Sequence, residues 1–262
     1  NMNIPFVCID LKKILRAVFL LDSNSRLPFN IHNLLNTEYF DCSVVAYCLK
    51  SDSKSYDLEN LCIKYLDFSI PESSSNVKET ACFRAQLIYK LVEILSNKLT
   101  NEKAKDLYDK FERPLIPILY LMEKCGVNVD VYMLAQLSEE SHMKLESIEK
   151  EIFKLAGEKF NVQSPKQLGH ILFEVLNLPT RKKTKTGYST NHEVLEELAL
   201  IHPLPKKVLE YRELAKLTNT YLDTLPNMRA MDLDKRIHCS FNQTVTTTGR
   251  LSSSDPNLQN IP

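Results

Sequence analysis

Residues 247–262 read TTGRLSSSDPNLQNIP, a stretch dense in small hydroxyl and amide side chains around a single arginine. Gly249 lets the backbone turn tightly, Arg250 offers a rigid fork of donors, and Ser252, Ser253 and Ser254 place short hydroxyls where phosphate oxygens can lie. Asn257, Gln259 and Asn260 add amides that both donate and accept. In a DNA minor groove, groups of this kind meet the acceptors common to all base pairs and so test geometry without reading sequence. These residues alone predict a nucleic-acid contact.

Just upstream, Ile237, Cys239 and Phe241 alternate with His238, Ser240 and Asn242, the pattern of a half-buried strand running into the TTTGR turn. Farther back, Leu134, Leu137, Leu145, Ile148, Ile152 and Leu155 follow three-and-four spacing, with Ser141 filling the gap in the seam. A helix over about 132–156 would be roughly 36 Å long, enough to span the width of a duplex. A second stripe, Val208, Tyr211, Ala215, Leu222 and Leu225, has similar length. The two are expected to pair antiparallel, leaving residues 157–205 as an insertion at the far tip.

At that tip, Ser164, Pro165 and Gln167 form a capping box, and Thr190 with Glu193 forms another. Between them lie Arg181, Lys182, Lys183, Lys185 and Gly187, expected as a basic, flexible loop. Helix N-termini beside a cationic loop suit phosphates, whereas the plain alternative for such a charge run is a solvated loop. Arg212 and Lys216, four apart, share one helix face. There they grip successive phosphates or, alternatively, pair with acids such as Glu213.

Residues 1 to about 100 show helical patterns near 10–21, 41–49, 57–66 and 80–97, with Asp57 and Glu59 in the first turn of the third. The charged stretch 100–114 is either a domain boundary or part of a continuous helix. A length of 262 residues suits two domains. Lys plus Arg equals Asp plus Glu at 33 each, so any pull on nucleic acid must come from local patches. The seven cysteines include no CxxC pair and suggest neither a disulfide framework nor a zinc site. Apolar runs such as AVFLL at 17–21 are far short of a membrane span, and no membrane partner is expected.

Taken in order, FERPLIPILYLMEKCGVNV at 111–129, SPKQLGHILFEVLNLP at 164–179, VLEELALIHPLPKKVLEYRELAKLTNTYLDTLP at 194–226 and HCSFNQTVTTTGR at 238–250 resemble the thumb and early palm of family A DNA polymerases. Residues 247–262 resemble the segment just before the catalytic palm of that family.

The resemblance implies a mainly α fold with a small β component. It comprises a partial ribonuclease-H-like, 3′–5′ exonuclease-like α/β region over 1–100 and a connecting helix with the start of the polymerase domain over 101–131. A long antiparallel helical thumb follows over 132–230, with its tip at 157–205. The first strand of the palm lies in 231–262, cut short before the first catalytic aspartate.

The implied function is that of a DNA-directed DNA polymerase fragment that grips primer-template double-stranded DNA and is not catalytic alone. Arg250, Asn257, Gln259 and Asn260 would contact minor-groove edges and sugars. Ser252, Ser253, Arg212, Lys216 and the tip lysines Lys182, Lys183 and Lys185 would contact phosphates. No catalytic or metal-ligating residue and no bound cofactor is expected here; Mg²⁺ and dNTP belong to the intact polymerase, a monomer of the bacterial cytoplasm or of an organelle. The alternatives are a non-catalytic duplex-binding module and a 3′–5′ exonuclease. The exonuclease needs metal-binding carboxylates, yet no Asp-x-Glu precedes residues 40–66, and Thr80, Gln86 and Ile14 fall near the positions of the other family acids. That region is therefore expected to be inactive.

Overall fold

The computed structural model describes residues 6–22, 38–71, 76–179, 183–184, 187–231 and 234–261. The described residues are mainly helical, with three two-stranded sheets, and none of their helices is long and apolar enough to cross a membrane. Contacts divide the chain into two units, residues 1–126 with 238–260 and residues 127–237 with 261–262.

In the first unit, β1 (Phe6–Cys8) and β2 (Tyr39–Asp41) pair in parallel, with Phe6 opposite Tyr39 and Cys8 opposite Asp41. Parallel strands need a crossover, and α1 (Leu11–Asp22) lies within it. β2 leads directly into α2 (Cys42–Leu49), and α3 (Leu58–Leu66) and α4 (Val77–Asn101) follow. Each helix starts where a short polar side chain can take its free N–H groups. Asp57 is the N-cap of α3, accepting from the Asn60 N–H at 2.8 Å, and Asn76 caps α4 through the N–H groups of Lys78 and Glu79. Capping by Asn76 sets the start of α4 three residues ahead of the expected one.

The core side of α4 is a four-residue repeat, Leu87, Leu91, Leu95 and Leu99, all buried. They pack in one cluster with Leu11, Leu15, Leu61, Tyr108 and Ile116. Full burial of a leucine contributes roughly 1.5–3 kcal/mol, so this stripe outweighs the unexceptional helix propensity of the sequence around it. A short helix and a π-helical turn, Tyr108–Glu112, lead into α5 (Arg113–Cys125).

Asp41 joins the strands to the helices. Its carboxylate, 1% exposed, accepts from the N–H groups of Leu11 (2.7 Å), Asp10 (3.2 Å), Ser43 (2.9 Å) and Val44 (3.3 Å). One side chain thus caps both α1 and α2. Burial pushes its carboxyl up to about 6, against the backbone donors, which hold it down.

In the second unit, α6 (Val131–Ala156) starts at the Asp130 cap and stops at Gly157, whose φ of +83° is the left-handed conformation that glycine adopts without strain. It packs on α9 (Pro203–Leu217), which continues through a π-helical turn, Thr218–Leu222, into α10 (Thr224–Met231). The pairing is antiparallel. The Ser138 hydroxyl donates to Asp223 at 2.6 Å near the start of α6, and Lys207 meets Glu151 at 3.0 Å near its end.

Ser141, Leu145, Ile148, Ile152, Val208, Ala215, Leu222 and Leu225 are buried as the spacing predicts. Leu137 is exposed and Leu134, Leu155 and Tyr211 are half-buried. At 100° per residue, Leu137 and Leu155 lie about 60° to one side of Ile152. They flank the seam instead of filling it.

The tip has its own core, in which Leu168, Ile171, Leu172, Val194, Leu195, Leu198 and Leu204 surround Ile148, Ile152 and Val208. α7 (Pro165–His170) begins at the Ser164 cap, which accepts from the Gln167 N–H at 3.4 Å, but Gln167 accepts from the Asn161 N–H and so does not close the expected box. The stretch expected as a flexible loop is in part a ladder, because β3 (Lys183–Thr184) pairs antiparallel with β4 (Gly187–Tyr188). α8 (His192–Ala199) is capped by Asn191, accepting from the Val194 N–H at 3.2 Å, and not by Thr190. Asparagine caps at least as well as threonine, and Thr190 is buried and engaged elsewhere.

Asp41 gives this fold a pH signature. Its folded carboxyl holds a proton more tightly than the unfolded one, so its contribution to stability is full below about pH 4 and is lost as pH rises through about 6. The stability of the wild-type chain minus that of Asp41→Asn should therefore fall by about 2 kcal/mol between pH 4 and 6.5 and be nearly flat above. Urea unfolding at a series of pH values checks this; a difference that rises over that interval contradicts it.

Candidate nucleic-acid interface

β5 (Ser240–Asn242) and β6 (Ser252–Ser254) form an antiparallel hairpin in the first unit, with Phe241 opposite Ser253. Ile237 and Cys239 are buried as the alternation predicts, while Phe241 is half-buried. The connecting turn is tied down through its backbone and its glutamine. The buried Gln243 donates to the Glu112 carbonyl and carboxylate at 3.0 and 2.8 Å. The Thr246 carbonyl accepts from the Tyr47 hydroxyl at 2.7 Å, and the Thr247 carbonyl from the Ser51 hydroxyl at 2.9 Å.

Gly249, at φ +78°, completes the turn. The side chains of Thr247, Thr248 and Arg250 face solvent, and the Arg250 guanidinium has no partner among the described residues. A rigid backbone therefore carries a cation with all of its donors available.

Beyond β6 the structure separates residues that look alike in sequence. Ser253 is buried, and its hydroxyl oxygen accepts from the N–H groups of Leu258 (3.0 Å) and Gln259 (3.2 Å) while donating to the Asn257 side-chain oxygen at 3.1 Å. Asn257 also accepts from the Gln259 N–H at 3.1 Å. The Ser252 hydroxyl is turned inward, buried without a partner among the described residues. Neither serine displays its hydroxyl for a phosphate. This corrects the expectation for both: a serine beside a tight turn finds backbone N–H groups within reach before it finds a ligand. Asn257 keeps only its NH₂ free, while the exposed side-chain amides of Gln259 and Asn260 are unengaged among the described residues.

The cations of the second unit divide in the same way. Arg212 is half-buried, with Nη1 donating to the Thr190 carbonyl at 2.6 Å and Nη2 to the Thr190 hydroxyl at 3.4 Å. It therefore ties α9 to the segment entering α8, which corrects the picture of two matched phosphate grips. Lys216 is exposed and unpartnered among the described residues. Lys183 lies in β3, and Lys182 and Lys185 lie outside the described residues.

Among the described residues no group of three or more His, Cys, Asp or Glu is placed to hold a metal ion. Thr80 donates its hydroxyl to the Asn76 carbonyl in the first turn of α4, and Gln86 is exposed on the same helix.

One residue of the site was not singled out from sequence. Glu123, on α5, is 4% exposed and accepts from Lys12 Nζ (2.6 Å), Arg16 Nε (2.9 Å) and the Phe241 N–H (2.7 Å). It follows Ile116, Leu119 and Tyr120 at helical spacing, all buried. An acid on the core side of an apolar stripe was the available signal.

Comparison with known proteins gives the family. The family model described as DNA polymerase family A matches residues 131–262. The chain belongs to that family. It is 43% identical to DNA polymerase I of Caldicellulosiruptor bescii over 97% of its own length and 28% of that protein's. Bacillus subtilis DNA polymerase I is 49% identical over 68% of this chain and 20% of the relative. A solved structure, the POL domain of Pol1 from M. smegmatis in complex with DNA primer-template and dNTP, superposes with a TM-score of 0.74 at 35% identity, covering 85% of this chain and 38% of that one. The chain thus spans well under half the length of these relatives.

The Ser253 cap makes a local prediction. Ser253→Ala removes the acceptor of two backbone N–H groups and should cost about 1–2 kcal/mol locally. In hydrogen exchange the Leu258 and Gln259 amides should lose protection while β5 keeps its own. Unchanged exchange at both amides contradicts the assignment.

Proposed function

We propose that this chain is the part of a DNA-directed DNA polymerase that holds the primer-template duplex. The observation that carries the reading is Arg250, an exposed guanidinium without a partner among the described residues, on a turn whose backbone is anchored at Thr246 and Thr247, with the amides of Gln259 and Asn260 unengaged among the described residues in the segment after β6. Donors held in this way suit the minor-groove acceptors that every base pair presents, so the contact reports duplex geometry and not sequence. Lys216 and the tip lysines Lys182, Lys183 and Lys185 supply the salt-dependent phosphate component. Membership of the polymerase family and the relatives named DNA polymerase I support this over a module that only binds duplex.

On this reading, residues 132–230 correspond to the thumb and residues 231–262 to the start of the palm. The parallel β1–α1–β2 unit is a remnant of the ribonuclease-H-like exonuclease layer that precedes them. The intact enzyme takes dNTP and acts as a monomer in the bacterial cytoplasm. Mg²⁺, implied for the intact polymerase, finds no donor set among the described residues, and no step here depends on it.

In the full-length enzyme, Arg250→Ala should weaken use of a primer terminus by about 1–3 kcal/mol, equally for all terminal base pairs. Single-turnover extension from the four possible primer ends checks this. Unchanged kinetics, or a loss confined to one base pair, contradicts the reading.

A further inference from the structure

We infer that Glu123 is the positioning residue for the duplex contact, setting the place of Arg250 and of the 257–260 amides without touching DNA itself. The inference rests on the polymerase reading above and adds the residue on which its geometry depends. Glu123 Oε1 accepts the Phe241 N–H at 2.7 Å and Lys12 Nζ at 2.6 Å, while Oε2 accepts Arg16 Nε at 2.9 Å and Nη2 at 2.7 Å. Its backbone carbonyl meets His238 Nδ1 at 2.7 Å. The two cations reach the same strand, Lys12 through the Phe241 carbonyl and Arg16 through the Ser240 hydroxyl at 3.0 Å. One buried carboxylate and its partners therefore fix residues 238, 240 and 241.

The line from there to the candidate interface is short. Phe241 stands opposite Ser253 in the hairpin, and the Ser253 hydroxyl holds the backbone of Leu258 and Gln259 and the side chain of Asn257. On the other side β5 runs into Gln243 and the anchored turn that ends at Arg250. The Phe241 N–H points to Glu123, so the carboxylate acts as the acceptor that this strand would otherwise lack on that edge. Replacing it by an amide keeps the shape but removes the charge that two cations and an N–H share. The strand is then free to shift by a fraction of an ångström, and misplacement on that scale is enough to weaken a preorganised contact.

The test is a double-mutant cycle in the full-length protein, reading the dissociation constant for a primer-template duplex by fluorescence anisotropy. Glu123→Gln should weaken binding roughly five- to twentyfold, and Arg250→Ala should weaken it as well. Because Glu123 acts in part through the placement of Arg250, the loss in the double variant should fall short of the product of the two single losses by more than about twofold. A purely structural role would instead give additive losses, and additivity overturns the inference. So does duplex binding by Glu123→Gln equal to wild type while Arg250→Ala is impaired. Normal binding by Arg250→Ala would instead overturn the proposed placement of Arg250 at the duplex. If Glu123→Gln does not fold, Arg16→Gln carries the same cycle: its loss should be smaller and equally masked by Arg250→Ala, and an unmasked loss contradicts the inference.

Discussion

A carboxylate removed from water must be neutralised and hydrogen-bonded at every lone pair, or it destabilises the fold by several kcal/mol. Glu123 meets that demand only by drawing together parts of the chain that lie far apart in sequence. Lys12 and Arg16 come from α1, the Phe241 N–H comes from β5, and the glutamate itself sits on α5. The burial of one acid thereby ties three elements into a single arrangement. Such a pair adds less to net stability than its short distances suggest, because desolvation of three charges opposes it. Its contribution is to geometry, and geometry is what the displayed side chains of the adjoining turn require.

Asp41 solves a corresponding problem beside the paired strands. Two helices that begin beside adjacent parallel strands each leave N–H groups without a partner, and a single carboxylate between them takes four. Buried acids thus organise both the βαβ unit and the strand that leads to the interface. The surface groups follow a different rule. Arg250, Gln259, Asn260 and Lys216 are exposed and have no side-chain partner among the described residues, whereas neighbours of the same chemistry are internally engaged. Groups held in place but left unpartnered are the ones with donors to offer a ligand.

Much of this was legible in the sequence. The paired stripes of the second unit appear as three-and-four spacing because burial along a helix is periodic, and the Ser164 cap appears because caps are local in sequence, whereas the Asn76 and Asn191 caps were missed. The glycine–arginine turn was legible for the same reason, since its geometry depends on adjacent residues. Ser252 and Ser253 were not, because hydroxyls that serve phosphate and hydroxyls that serve a turn have the same composition, and only tertiary packing decides which way they point. Arg212 shows the same ambiguity: four residues from Lys216, it shares its helix face, yet a carbonyl on a different segment takes its donors. Glu123 and Asp41 were hidden for a stronger reason. The partners of Glu123 lie 107 to 118 residues away, and the Asp10 and Leu11 N–H groups that Asp41 takes lie 31 and 30 away, beyond the reach of any local pattern, whereas its capping of Ser43 and Val44 is local.

The central claim is that an anchored turn presents Arg250 to acceptors shared by all base pairs. Atomic substitution in the DNA tests it most directly. Duplexes in which the terminal primer purine is replaced by its 3-deaza analogue lack the minor-groove N3 acceptor and are otherwise unchanged in shape. The full-length enzyme should extend them more slowly by an amount corresponding to about 1–3 kcal/mol, and this penalty should vanish when Arg250 is replaced by alanine. A penalty of equal size in both proteins would mean that Arg250 does not reach the groove, and the account would fail at its centre.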